Sequence, residues 1–311
     1  MEPVIEIRGL SKEFRVGFWQ RRILVLHPLN LTVYRGEIFG YLGPNGAGKT
    51  TTLKLLTGLI LPTAGSARLL GQDLAEVGTK RHIGFLPENP YFYEYLTGRE
   101  LLDLCGRLFG LRAPVRLERI ASLLHLTQMD EAADRQLRKY SKGMLQRLGL
   151  AQALINDPQL VILDEPMSGL DPLGRKAMRD TILHLKNEGR TIFFSSHILS
   201  DVEMLCDRVG ILVNGRLQDV GRLDAILTTR VESIEMTLEQ VPPALLAALG
   251  PLAQGSVFQQ AGRVLVRLPD EARLNQALRL SLESGARVLS VAPQRMTLEE
   301  HFIREVQGAT P

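Results

Sequence analysis

GPNGAGKTT, residues 43–51, lies between an apolar run of strand length, GEIFGYLG (36–43), and a run with helical character, KTTTLKLLTGL (49–59). It fits G-x-x-x-x-G-K-[ST] through Gly43, Gly48, Lys49 and Thr50, in the strand, loop and helix order the pattern needs. Glycines let the backbone curl around a phosphate with its N–H groups inward. The helix N-terminus adds about half a positive charge. Gly43, Pro44, Asn45, Gly46, Ala47, Gly48, Lys49, Thr50 and Thr51 are therefore assigned to the phosphates of a nucleoside triphosphate. Lys49 would reach the β- and γ-phosphates and the Thr50 hydroxyl would ligate Mg²⁺. A purely structural glycine turn has no need of Lys-Thr at the helix start.

Outward from this loop, short β-like runs alternate with helical ones, the pattern of a mostly parallel sheet wrapped by helices. VIEIRGL (4–10) and LNLTVY (29–34) alternate like half-buried strands, and QLVILDEP (159–166), TIFFSSH (191–197) and RVGILVNGR (208–216) are apolar runs of strand length. LVILDEP ends in adjacent carboxylates. Asp164 would hold the magnesium shell and Glu165 would polarise or deprotonate the attacking water. An N-K-x-D guanine-specificity pattern occurs nowhere, which disfavours a GTPase. From about residue 89 to 157 helical periodicity dominates, opened by a Thr97/Glu100 capping box, and the segment reads as a helical subdomain inserted in the α/β core.

After about Arg222 the composition changes. Residues 231–293 read β, α, β, β, α, β, a split βαβ, ferredoxin-like order. The expected organisation is a P-loop ATPase domain over 1–221 and a small accessory α+β domain over 222–311. Composition bounds the rest. A net charge of +3 is too small to argue for nucleic acid. Cys105 and Cys206 show no metal-ligand spacing. The opening MEPVIEIRGL lacks a signal-peptide pattern. A bilayer span needs about 20 apolar residues, and the longest uncharged stretch, 240–262, is broken by proline, glycine and glutamine. Membrane contact would thus come through a partner.

At YSKGM, Tyr140–Met144, the chain resembles the ATP-binding-cassette (ABC) ATPases, whose signature is commonly LSGGQ. That resemblance implies that Ser141, Lys142 and Gly143 at a helix start face the γ-phosphate held by the P-loop of a second copy, in a head-to-tail dimer sandwiching ATP. Ser, a Gly N–H and the helix dipole suit such an anion, although SKG alone is also an ordinary N-cap. Ser168, Gly169, Leu170 and Asp171 match the D-loop. His197 matches the switch histidine, which places it with Glu165, Lys49 and Glu88 in the catalytic set. Phe14 matches the adenine-stacking aromatic, with Phe18 and Trp19 of the unusually long RVGFWQRR loop as competitors.

Two departures stand out. Glu88 replaces the family's Q-loop glutamine and could approach Mg²⁺ through an oxygen, beside Thr50 and Asp164. The signature carries Lys142 and Met144 in place of glycine and glutamine. The resemblance runs from about Val4 to Gly221, and its flavour is that of exporter ATPase subunits for drugs, antibiotics, lipids or polysaccharides. It implies separately encoded membrane permease subunits as partners and a peripheral place on the cytoplasmic face of the cell membrane. Two-cassette translation proteins and coiled-coil chromosome ATPases fit less well, since one cassette is present without sustained heptads. A nucleotide-gated interaction module without transport is the alternative function. The aromatic cluster NPYFYEYLTG (89–98), with Tyr91, Phe92, Tyr93 and Tyr95, is the candidate permease socket, or else core of the helical segment.

Overall fold

The computed structural model describes residues 2–226, 231–260, 262–295 and 298–308. Chain packing separates two compact units, Met1–Leu223 with Glu305–Pro311, and Asp224–Arg304. The first unit opens with a long antiparallel hairpin, β1 (Pro3–Val16) and β2 (Arg21–Tyr34). Then β3 (Ile38–Leu42) enters the phosphate-type loop and α1 (Lys49–Leu56) leaves it. The helix stops short of the end of its apolar run because Gly58 turns to φ +70°. Next come β4 (Ala64–Leu69), β5 (Gln72–Asp73) and β6 (Ile83–Leu86).

The helical segment follows as α2 (Gly98–Leu108), α3 (Ala113–Leu126) and α4 (Lys142–Ala153). It begins later than the periodicity implies: residues 89–96 carry neither helix nor strand. The capping box is present, with Glu100 N donating to Thr97 Oγ1 at 3.2 Å and Thr97 N donating to Glu100 Oε2 at 2.8 Å. The chain then returns through β7 (Leu160–Asp164), α5 (Pro172–Asn187), β8 (Thr191–Ser196), α6 (Leu199–Leu205), β9 (Arg208–Val213), β10 (Arg216–Arg222) and α7 (Leu223–Ile226).

Two sheets result, ordered β2-β1-β4-β5 and β10-β9-β3-β8-β7-β6. In the second, β9, β3, β8, β7 and β6 run parallel and β10 is antiparallel. Every residue of β3, β7 and β8 is buried, as expected for parallel strands covered on both faces. Phe39 stacks on Phe193 at 5.6 Å between ring centroids, and both join Leu53, Leu55 and Leu56 of α1 in the main core. Burying each such side chain contributes about 1.5–3 kcal/mol. β8 lies between β3 and β7, in register Leu42 with Ser196 and Asp164 with Ser195. The chain segments that leave the carboxyl ends of these three strands are therefore neighbours, the usual place for a ligand in an open α/β sheet.

The second unit contains β11 (Val231–Glu239), α8 (Pro243–Leu249), β12 (Phe258–Gln260), β13 (Arg263–Leu268), α9 (Glu271–Glu283) and β14 (Arg287–Arg295), in an antiparallel sheet ordered β12-β13-β11-β14. Along β13, Val264, Val266 and Leu268 are buried while Arg263 and Arg267 face solvent. That face packs with Leu245 and Leu249 of α8 and Ala277 of α9. A last helix, α10 (Leu298–Gly308), follows. The MTLEEHF segment begins at Met296 and Thr297, which lie outside the described residues.

Candidate functional site

Two glycines shape the loop after β3. A Cβ at Gly43 would strike the Leu212 carbonyl, and Gly48 sits at φ +106°, a conformation L side chains rarely adopt. The loop wraps one wall of a cleft of about 580 Å³, lined from Pro44 through Thr51 and by Val25, Glu88, Glu165, Ser168 and His197. Five separate stretches of the sequence thus meet there.

At its centre Lys49 Nζ donates to the Gly43 carbonyl at 2.7 Å and the Pro44 carbonyl at 3.3 Å, and pairs with Glu165 Oε1 at 3.1 Å. The other Glu165 oxygen, Oε2, is 2.8 Å from His197 Nδ1. Glu165 also holds a positive φ of 49°, a strained backbone for a carboxylate residue that costs on the order of 1–3 kcal/mol. Ser195 stabilises that turn, its Oγ accepting from Glu165 N at 3.0 Å and donating to Asp164 Oδ1 at 2.6 Å. Asp164 Oδ1 also accepts from Thr50 Oγ1 at 3.2 Å. Burial pushes the Asp164 carboxyl above the usual carboxylate range, against the pull of the Ser195 and Thr50 hydroxyls. Glu165 Oε1 is buried and has no hydrogen bond, only its ion pair with Lys49.

Other sequence-assigned residues stand elsewhere. Ser141 caps α4, its side chain accepting from Met144 N at 3.3 Å. Lys142 covers the D-loop: a Cβ at Gly169 would lie 2.8 Å from its Nζ. Gly143 faces Leu170. Asp171 caps α5, accepting from Gly174 N at 2.9 Å. None of these four lines the cleft of their own chain. Phe14 does not line it either; it is half-buried on β1 with the Lys12 ammonium 5.0 Å from its ring. Tyr91, Tyr93 and Tyr95 are exposed and Phe92 is half-buried, so three of the four aromatics stay out of the helical segment's core.

Sequence reasoning missed Val25, Ser195 and Asp201. Only the Asp164–Ser195 register identifies Ser195 as the brace between the two acids. Asp201 is buried on α6, and burial raises its carboxyl, while it feels the charges of Arg175, Arg179, Glu165 and His197. An acid in the first turn of the helix that follows His197 was the available signal.

Comparison with known proteins adds a family. Residues 26–168 match the ABC transporter family model. An uncharacterised ABC transporter ATP-binding protein of Nostoc sp. is 46% identical, over 98% of this chain and 90% of the relative. The bacitracin transport ATP-binding protein of Bacillus licheniformis is 37% identical, over 91% and 92% respectively. The Nod factor export ATP-binding protein I of Ralstonia nicotianae is 34% identical, over 81% and 78%. Among solved structures, an ATP-binding subunit of an ABC transporter superposes with a TM-score of 0.64 at 35% identity, covering 72% of this chain and 91% of that one. A bacterial ABC transporter cassette solved as a dimer has the same fold, with a TM-score of 0.66 at 24% identity, covering 71% and 99%.

Proposed function

From the premise that this chain belongs to the ABC transporter ATP-binding proteins and hydrolyses ATP, we propose that it powers export through separately encoded membrane subunits. The likeness to bacitracin transport and Nod factor export proteins supports the direction. The observation that carries the catalytic reading is Glu165, held between Lys49 at 3.1 Å and His197 at 2.8 Å at the mouth of the P-loop cleft.

In this arrangement Lys49 is occupied by Glu165 and two backbone carbonyls. An entering triphosphate competes for the ammonium, and transfer of Lys49 to phosphate oxygens frees Glu165 Oε1, which has no other partner. That oxygen then accepts a proton from water as the water oxygen bonds to the γ-phosphorus and the bond to the β-phosphate oxygen breaks. His197 steadies Oε2 so that Oε1 points at the water. Magnesium fits the donor set: Thr50 and Asp164 offer hard oxygens that already meet at 3.2 Å, with Glu88 on the cleft wall, and the ion would neutralise phosphate charge.

Ser141, Lys142 and Gly143 lie outside their own chain's cleft, which supports their use by a second copy in an ATP-sandwich dimer, with the Ser168–Asp171 segment at the same interface. The exposed tyrosines after Glu88 are the proposed permease socket, which would hold the subunit on the cytoplasmic face of the membrane. We read residues 1–221 as the ATPase domain with an inserted helical subdomain, and 222–311 as a ferredoxin-like accessory domain. ATP hydrolysis by the purified chain tests the catalytic reading. Glu165→Gln should reduce the rate at least about 100-fold while ATP binding persists.

A further inference from the structure

The β1–β2 hairpin projects beyond what the nucleotide cleft needs. Val25 of β2 is the last hairpin residue on the cleft wall, and the strands pair on to Val16 and Arg21. At roughly 3.3 Å per residue, the six residues back to Trp19 place the turn about 20 Å along the hairpin. Turn tips ordinarily carry glycine, asparagine or aspartate. Here Gly17 and Gln20 supply the positive φ values, and the two positions between them are Phe18 and Trp19, 93% and 89% exposed. Their rings are edge to face at 5.8 Å, so the pair is preformed. Nothing in the described fold buries them.

Charge sets the second condition. Arg15 and Arg22 are direct cross-strand neighbours, and Arg21 adjoins them opposite Val16. Like charges directly opposite one another destabilise a hairpin. Glu13 answers only Arg22, at 3.5 Å, and among the described residues no ion pair is formed by Arg15 or Arg21. The tip is therefore an apolar wedge collared by three arginines, of which Arg15 and Arg21 form no ion pair among the described residues.

We infer that this hairpin tip is a membrane-surface anchor that inserts Phe18 and Trp19 at the headgroup level of an anionic bilayer while Arg15, Arg21 and Arg22 engage lipid phosphates. The Trp19 indole, with its N–H edge, favours that depth, Phe18 adds apolar area beside it, and arginines just above draw on the surface potential of acidic lipids. A protein partner is the poorer occupant. The two side chains together offer roughly 300–500 Å², well below the roughly 800 Å² that each side of a stable protein interface buries. The inference gives the chain a lipid contact of its own and does not depend on which substrate is moved.

Trp19 is the only tryptophan in the sequence, so its emission reports the tip directly. The full chain is titrated with phosphatidylcholine vesicles, with and without about 30% phosphatidylglycerol. Expected are a blue shift, quenching by brominated lipid, and apparent binding at least about tenfold tighter to the acidic vesicles, weakening at high salt. Arg15→Gln/Arg21→Gln/Arg22→Gln should lose that preference. Should the triple variant fail to fold, the salt dependence of the wild-type protein decides the same point. Emission that ignores acidic vesicles overturns the proposal, as does equal, salt-independent binding to both vesicle types. A shift seen only with ATP-Mg²⁺, or only with detergent-solubilised membrane subunits, assigns the tip to adenine or to protein and also overturns it.

Discussion

Asp164 and Glu165 are adjacent acids with different surroundings. Asp164 is buried beneath the cleft with two hydroxyl donors, and Glu165 turns into it between the Lys49 ammonium and the His197 ring. Because burial raises the Asp164 carboxyl, its neutral form is favoured in the fold. That contribution to stability is complete below the carboxyl's unfolded titration and is lost as pH rises through the raised folded value. At neutral pH its charge is thus a cost that ligand binding justifies. Asp164→Asn should raise the melting temperature of the nucleotide-free protein at neutral pH, a gain that shrinks as pH falls into the carboxylate range, while Mg²⁺-dependent hydrolysis is lost. Melting curves across pH beside rate assays check both halves; a variant less stable at neutral pH contradicts the assignment of burial as the dominant effect. The P-loop and both acids were legible in the sequence because each motif is contiguous. Ser195 was not, since its role exists only through pairing of β7 with β8, and Val25 was hidden because no local pattern says which residue of a long strand passes a cleft.

Helix α4 begins at a residue with two possible duties. As an N-cap, Ser141 satisfies Met144 N, and replacing it with alanine should cost about 1 kcal/mol. Aspartate caps equally well, so Ser141→Asp should hold stability within about 0.5 kcal/mol of the native chain. Its charge would repel a γ-phosphate, so hydrolysis should fall steeply. Full activity in a stable Ser141→Asp protein would leave Ser141 with the cap alone. The stretch before α2 behaves differently. Tyr91, the most exposed of the tyrosines, supports no core, so Tyr91→Ala should leave the melting temperature and basal hydrolysis nearly unchanged and weaken co-purification with membrane subunits. Strand and helix existence was legible from periodicity, as was the α2 capping box. Boundaries were not: β1 and β2 run far past VIEIRGL and LNLTVY because cross-strand pairing carries polar residues such as Arg15 and Arg22 into the ladder, which alternation alone does not reveal.

For the whole molecule, the proposed ATP-sandwich dimer would complete the cleft from a second copy. The cleft of one chain gathers the P-loop, Glu88, Glu165 and His197, whereas Ser141 and Gly143 sit outside it at a helix start suited to an anion. Glu165→Gln should accumulate an ATP-bound dimer, visible by sedimentation, which disappears without nucleotide. Composite sites make a sharper claim. In a two-fold dimer each site takes its P-loop from one chain and its signature from the other. Ser141→Arg and Lys49→Ala homodimers would then have no intact site, and a heterodimer of the two would have one. The measurement is ATP hydrolysis by each variant alone and by their mixture. The account predicts near-zero rates apart and partial recovery on mixing; a wild-type rate for Ser141→Arg alone, or no recovery in a mixture shown to form heterodimers, would contradict it.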